Sequence, residues 1–191
     1  MNKPTTIKTP LKALFVLLWV LTWASSASAW QGRVIYVSDG DTIKVKSSSG
    51  YVTTIRLQGI DCPEKNQVGG QAAKNFVQER ANGCMVEVDP KYQDQYGRTV
   101  GVVWMTSTTS LNEMLVAAGH AWVYSQYCTD TICDRWLYLQ EQAAKKGLGL
   151  WSRDNPTPPW EWRKMMRSQY EQEAFGVILP QVANFALSGV L

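Results

Sequence analysis

Apolar and polar residues alternate through the first third of the chain beyond residue 30. Val34 and Tyr36, then Ile43 and Val45, fall at spacing two on either side of Ser38-Asp39-Gly40, and residues 52–57 follow Ser47-Ser48-Ser49-Gly50. Period two broken by Gly- and Ser-rich turns predicts a three-strand meander. Arg56 stands between Ile55 and Leu57, so its side chain points to the opposite face from theirs. If that apolar pair faces a barrel interior, Arg56 faces out, toward solvent or a ligand. The period then changes. Ala72, Ala73, Phe76, Val77 and Arg80 recur at helical spacing within 71–82, and Gly83 follows as a C-terminal stop. Residues 85–88 and 100–104 read as two further strands joined by a polar turn over 92–97. Ser110 with Glu113 has the capping-box pattern and opens a short helix that ends at Gly119. Ile132, Trp136, Leu139 and Ala143 share one face of a third helix over about 131–146. Lys145 and Lys146 suit its C-terminal dipole, and Gly147 ends it.

This order predicts an α+β fold: a five-stranded OB-type Greek-key β-barrel with three α-helices. No internal repeat is visible. After Trp151 the composition shifts to Asn155-Pro156-Thr157-Pro158-Pro159, a stiff linker. Trp160 to Lys164 is expected to pack back on the domain, while residues beyond about Tyr170 show no strong period and receive no role. Trp104, Trp122, Trp136 and Trp151 read as core, and packing is the expectation for Trp160 and Trp162 as well. His120 reads as a surface or core-edge histidine.

The first residues stand apart from this pattern. Lys3, Lys8 and Lys12 precede an apolar run over 13–23, and Ala27-Ser28-Ala29 is a small-x-small cleavage pattern. These are the parts of a secretory signal peptide, and the run is short for a permanent span. The expected organisation is therefore signal peptide 1–29, a single domain over 30–151 and a Pro/Trp-containing extension over 152–191. The expected location is secreted or periplasmic, with no stable membrane span in the mature chain and a monomeric state. The leader also carries the whole charge excess. The chain has 19 Lys+Arg against 16 Asp+Glu; three of those positives and none of the acids precede residue 30, so the remainder is balanced. A polyanionic ligand must then be held by local placement of arginines and lysines. Four cysteines follow the leader, an even count that suits disulfides in an oxidising compartment. Cys128 with Cys133 is the best single pair, and Cys62 with Cys84 follows only by elimination. Zinc is disfavoured by a single histidine and the lack of a Cys-x-x-Cys pair.

Candidate chemistry lies in the turns. Asp39-Gly40-Asp41-Thr42, Arg56 to Glu64, and Asp94-Gln95-Tyr96-Gly97-Arg98 gather three carboxylates (Asp41, Asp61, Glu64) and two arginines (Arg56, Arg98). Carboxylate oxygens suit Ca²⁺ or Mg²⁺, and guanidinium forks suit phosphate oxygens. Together they are the parts of metal-assisted phosphodiester hydrolysis. Each residue also has a plainer role: Asp41 as a turn residue, Glu64 as a solvated loop acid, Arg98 as a surface partner of Asp94. Their joint occurrence favours chemistry.

These motifs, with Asn112-Glu113-Met114-Leu115-Val116 leading to Gly119, resemble the thermonuclease (staphylococcal nuclease-like) family over roughly residues 32–151. The resemblance implies a Ca²⁺-dependent endonuclease acting on DNA and RNA and leaving 3′-phosphate ends. It implies Asp41, Asp61 and the carbonyl of Cys62 as metal ligands, Glu64 as general base or water-orienting group, and Arg56 and Arg98 as phosphate clamps. It also implies Tyr96 and Tyr127, less surely Tyr124, as substrate contacts. Two departures stand out: Cys62 replaces a threonine, and the loop over 65–70 is shorter than in the best-known member, which implies a more open groove. The alternative from another class is a non-catalytic nucleic-acid-binding OB-fold or envelope scaffold protein. Loss of a site acid or arginine would favour it, and none is lost.

Overall fold

The alternating segments form the strands β1 (Trp30–Val37), β2 (Thr42–Ser47) and β3 (Val52–Leu57) in the computed structural model, which describes residues 28–188. The expected leader up to residue 27 and the last three residues lie outside the described residues. β4 (Ile60–Asp61) is a two-residue strand, followed by helix α1 (Gly70–Ala81) and the hairpin β5 (Met85–Gln93) and β6 (Thr99–Trp104). Then come α2 (Leu111–Ala117), β7 (Trp122–Val123), α3 (Ile132–Lys145), a 3₁₀ turn over Gly149–Ser152 and α4 (Pro159–Ser188).

Five strands close into a barrel in the order β1-β2-β3-β6-β5. The meander pairs antiparallel, with Val34 opposite Val45 and Ile43 opposite Ile55. Closure comes from a parallel pairing of β3 with β6, Ile55 opposite Thr99 and Arg56 opposite Val100. Ile43, Val45, Ile55 and Leu57 are buried; by the pleat, Arg56 leaves the barrel on the other face, as the alternation implies.

Helices cover one end of the barrel. α1 buries Ala73, Val77 and Ala81, four residues apart. Gly40 lets this helix approach the β1–β2 turn: a Cβ there would lie 2.7 Å from both Ala73 Cβ and Cys62 Cβ. Ser110 caps α2, accepting the Glu113 amide at 3.1 Å. The Glu113 carboxylate turns instead to Arg135 on α3, at 2.7 Å, and so joins the two helices. Fully buried Asn112 accepts the Val103 amide at 3.1 Å and donates to the Gln58 carbonyl at 2.9 Å, fastening α2 to β6 and to the turn after β3. Cys128 and Cys133 are disulfide-bonded across the entry to α3. The sulfur of Cys128 lies over Gly59, which has φ +69° and where a Cβ would come within 2.7 Å of it.

Three expectations need correction. Cys62 and Cys84 do not pair: Cys62 is a buried free thiol against Gly40, and Cys84 is an exposed one beyond α1. Of the tryptophans expected in the core, only Trp136 is fully buried, while Trp104, Trp122 and Trp151 are half-buried. A fourth helix, α4, begins at Pro159, whose fixed φ suits the first helical position, and it runs through the segment that showed no clear period.

Two measurements check this packing. Gly40→Ala should destabilise the fold by about 1–3 kcal/mol in urea unfolding, the usual scale for overpacking; a neutral change would contradict the close approach of α1. Thiol labelling without reductant should modify Cys84 in the native protein and Cys62 only after denaturation. Labelling of Cys128 or Cys133 under those conditions would remove the staple.

Candidate active site

The cluster forms where the end of β3 meets the β1–β2 turn. Asp39 Oδ1 accepts the Asp41 amide at 3.1 Å, an Asx turn that aims Asp41 inward. The Asp41 carboxylate is buried; its Oδ2 accepts the Cys62 amide at 2.8 Å and its Oδ1 the Thr42 hydroxyl at 3.2 Å. Arg56 reaches both acids. Its Nη1 lies 3.0 Å from Asp41 Oδ2, and its Nη2 donates to Asp61 Oδ1 at 2.8 Å. Nη1 also donates to the carbonyls of Leu57 (3.1 Å) and Ile60 (3.0 Å), so one guanidinium fixes the turn that delivers Asp61. β4 pairs with β7, Asp61 opposite Trp122, and holds that acid almost wholly buried.

Burial sets the electrostatics. The Asp41 carboxyl is raised from 3.8 to about 7: desolvation by burial is the largest cause, Arg56 pulls it down, Asp39 and Asp61 push it up, and the Cys62 amide lowers it. Arg56 stays charged: desolvation alone would lower its pKa, but Asp41 and Asp61 together raise it. The Cys62 thiol is pushed well above its ordinary value by burial and by Asp41, so it stays protonated and unreactive.

Glu64 follows Pro63 at the start of the loop into α1, and its carboxylate is half-exposed. It accepts a bond at 2.7 Å from Nη1 of Arg163, on the second turn of α4. Arg163 also donates from Nη2 to Asp61 Oδ2 at 2.8 Å and from Nη1 to Asp61 Oδ1 at 3.3 Å. Sequence reading missed this residue. Nothing in local spacing ties an arginine after Trp160-Glu161-Trp162 to an acid 102 positions earlier.

The structure thus brings Asp41, Arg56, Asp61, Cys62 and Glu64 together, and adds Arg163. Arg98 and Tyr96 lie on the β5–β6 turn, beside β3 because β6 runs parallel to it. Arg98 Nε donates to Asp94 Oδ2 at 2.7 Å, its amide to Asp94 Oδ1 at 2.9 Å, and its guanidinium covers the Tyr96 ring at 5.4 Å. Its Nη groups have no partner among the described residues. Tyr96 is largely exposed. Tyr127, half-exposed, meets Tyr124 edge-on at 4.9 Å, and Tyr124 stacks on Trp160 at 4.7 Å. His120, at the core edge, lies against Phe76 and has its pKa lowered by burial.

With this geometry in view, comparison with known proteins is decisive. The family described as Staphylococcal nuclease homologue matches residues 54–153. An endonuclease of Escherichia coli described as uncharacterized is 39% identical over 152 residues, covering 80% of this chain and 97% of that one. The chain belongs to the staphylococcal nuclease family. A Micrococcal nuclease of Shigella flexneri is 33% identical over 173 residues, covering 85% and 98% of the two chains. An uncharacterized endonuclease of Haemophilus influenzae is 37% identical over 150 residues, or 78% and 82%. Membership identifies a nuclease with a nucleic-acid substrate. The matched family region contains Arg56, Asp61, Glu64 and Arg98, while Asp41 and Arg163 flank it.

The raised Asp41 carboxyl gives a pH signature. Folded, it holds its proton to about 7; unfolded, it releases it near 3.8. Between those values the folded protein binds more protons, so this group's contribution to stability falls as pH rises from about 4 to about 7. In chelator-treated protein, a ¹³C-detected titration of Asp41 should show a midpoint near 7; a midpoint at or below 4 would contradict the burial assigned to it.

Proposed function

We propose that this nuclease is an exported, calcium-dependent endonuclease that hydrolyses phosphodiester bonds of both DNA and RNA. The observation that carries the reading is the buried Asp41–Arg56–Asp61 cluster with Glu64 at its edge.

The donor set fits a hard cation. Among the described residues no three His, Cys, Asp or Glu side chains group into a ready-made metal site. Two carboxylates and one backbone carbonyl at Cys62 are instead an all-oxygen, sparse set, which suits Ca²⁺ because its flexible shell accepts several waters. Among the described residues Asp41 Oδ1 has only the Thr42 hydroxyl as a partner and keeps lone-pair capacity. When bound, Ca²⁺ would supply Lewis-acid stabilisation of a phosphate oxygen.

The chain's own groups do the rest. Asp41 and Asp61 would hold the cation; Arg56, expected as a phosphate clamp, instead has its guanidinium taken up by both carboxylates and the carbonyls of Leu57 and Ile60, and so fixes the acids in register. Glu64 would accept a proton from, or orient, the attacking water. Asp94 takes Arg98 by Nε and its backbone amide, which leaves the two Nη groups for phosphate oxygens as charge grows on them. Tyr96 and Tyr127 expose rings that suit contact with sugar or base. The leader-like residues before Trp30 and the Cys128–Cys133 bond support export. Among the described residues no helix is long and apolar enough to cross a membrane.

One assay tests the reading: purified mature protein with single- and double-stranded DNA and RNA, in Ca²⁺, Mg²⁺ or EDTA. Cleavage should require Ca²⁺ and stop with EDTA. Glu64→Gln should lower turnover by roughly 10²-fold or more while substrate still binds, and Arg98→Ala should cost about 10²–10³-fold. A parent protein that binds nucleic acid with Ca²⁺ yet never cuts it would promote the non-catalytic binding alternative. Full activity in EDTA would sink the metal.

A further inference from the structure

We infer that the segment Thr157–Arg163 is a built part of the cleavage site, with Arg163 the positioning residue that aims Glu64. The inference rests on the nuclease reading of Glu64 and adds a residue that lies beyond the matched family region.

The loop between β4 and α1 carries Glu64 and has little of its own to hold that carboxylate. Its internal bonds are to backbone: Gln67 Oε1 accepts the Glu64 amide at 3.1 Å, and the Glu64 carbonyl accepts the Gln67 amide at 2.9 Å. Three ties come instead from the C-terminal segment. Gln67 Nε2 donates to the Thr157 carbonyl at 2.7 Å, Trp162 Nε1 lies 3.4 Å from Asn66 Oδ1, and Arg163 Nη1 donates to the Glu64 carboxylate at 2.7 Å. The segment is itself anchored. Pro159 is buried, and Trp160 stacks on Tyr124 with rings 15° from parallel while meeting Trp122 edge-on at 5.9 Å. Trp160 and Arg163 stand three residues apart on one face of α4, so fixing the first aims the second.

Arg163 then does what one flat fork can do. It spans Asp61 and Glu64 and sets the distance between an acid of the buried cluster and the candidate base. A solvated glutamate without this partner would sample many rotamers, and loss of orientation alone can cost about 10²-fold in rate. A lysine presents a single point charge in place of the planar fork, and would hold the pair less well. The short loop over 65–70, expected to leave the groove open, is the surface against which this segment lies.

The test uses the full mature chain with Ca²⁺ and double-stranded DNA, comparing parent, Glu64→Gln, Arg163→Ala and Arg163→Lys. Arg163→Ala should lower kcat by about 10- to 10²-fold with KM changed less than about twofold, and Arg163→Lys should recover part of the loss. Arg163→Ala also takes two bonds from the buried Asp61 and should lower the melting temperature, whereas Arg163→Lys keeps a charge beside that acid and should melt close to the parent. If Arg163→Ala melts early, the kcat of Arg163→Lys carries the test and should fall below the parent's. Unchanged kcat in both variants overturns the inference. So does higher activity with a lower half-saturating Ca²⁺ concentration, which would mark the guanidinium as the cation's competitor. Loss in Glu64→Gln without loss in the Arg163 variants overturns only this inference; a parent that does not cut overturns the nuclease reading with it.

Discussion

A single guanidinium makes the buried carboxylates of this barrel rim possible. Asp41, on a turn, and Asp61, on β4, are held almost out of water, and Arg56 reaches both while also binding the carbonyls of Leu57 and Ile60. Buried charges persist only when paired and fully bonded. The Cys62 amide and Thr42 hydroxyl complete that bonding on Asp41. The barrel meets this requirement through its pleat, because Ile55 and Leu57 enter the core and thereby force Arg56 to the rim. The residue that the pleat expels is thus the one that holds both acids of the candidate site.

Much of this was legible from local pattern, because local pattern controls it. Period two located the meander, and Ser110 with Glu113 marked the start of α2 before its cap bond was visible. Asp41, Arg56, Asp61 and Glu64 lie within 24 consecutive residues, so turns alone bring them near one another. What escaped was set at long range. The parallel pairing of β3 with β6 leaves no mark in either strand, and Arg163 meets Asp61 only because α4 folds back. The Cys62–Cys84 pairing failed for a different reason: counting cysteines says nothing about depth, and Cys62 faces the core while Cys84 faces solvent.

The aromatic residues show how packing can leave ring faces open to solvent. Trp160 rests on Tyr124 much as a planar ligand ring would, and Tyr127 leaves half its surface open beside that stack. Ring faces are sequence-tolerant surfaces. The half-buried Trp122 meets Trp151 edge-on at 4.3 Å and Trp160 edge-on at 5.9 Å, which ties this shelf to the 3₁₀ turn over Gly149–Ser152. Composition alone could not divide the tryptophans into core and shelf, since burial depends on where α4 lies.

Gly59 and Cys128 are the two sides of one contact, backbone against sulfur, and they cannot vary independently. Any other residue at 59 would need both a left-handed backbone and the volume that the sulfur fills. In a lineage that lost the 128–133 bridge, a smaller residue at 128 would relax the steric half of this restriction and leave the conformational half in force. Position 59 would then admit asparagine or aspartate before any β-branched residue. The turn leading into β4 would gain a side chain one residue from the strand that carries Asp61.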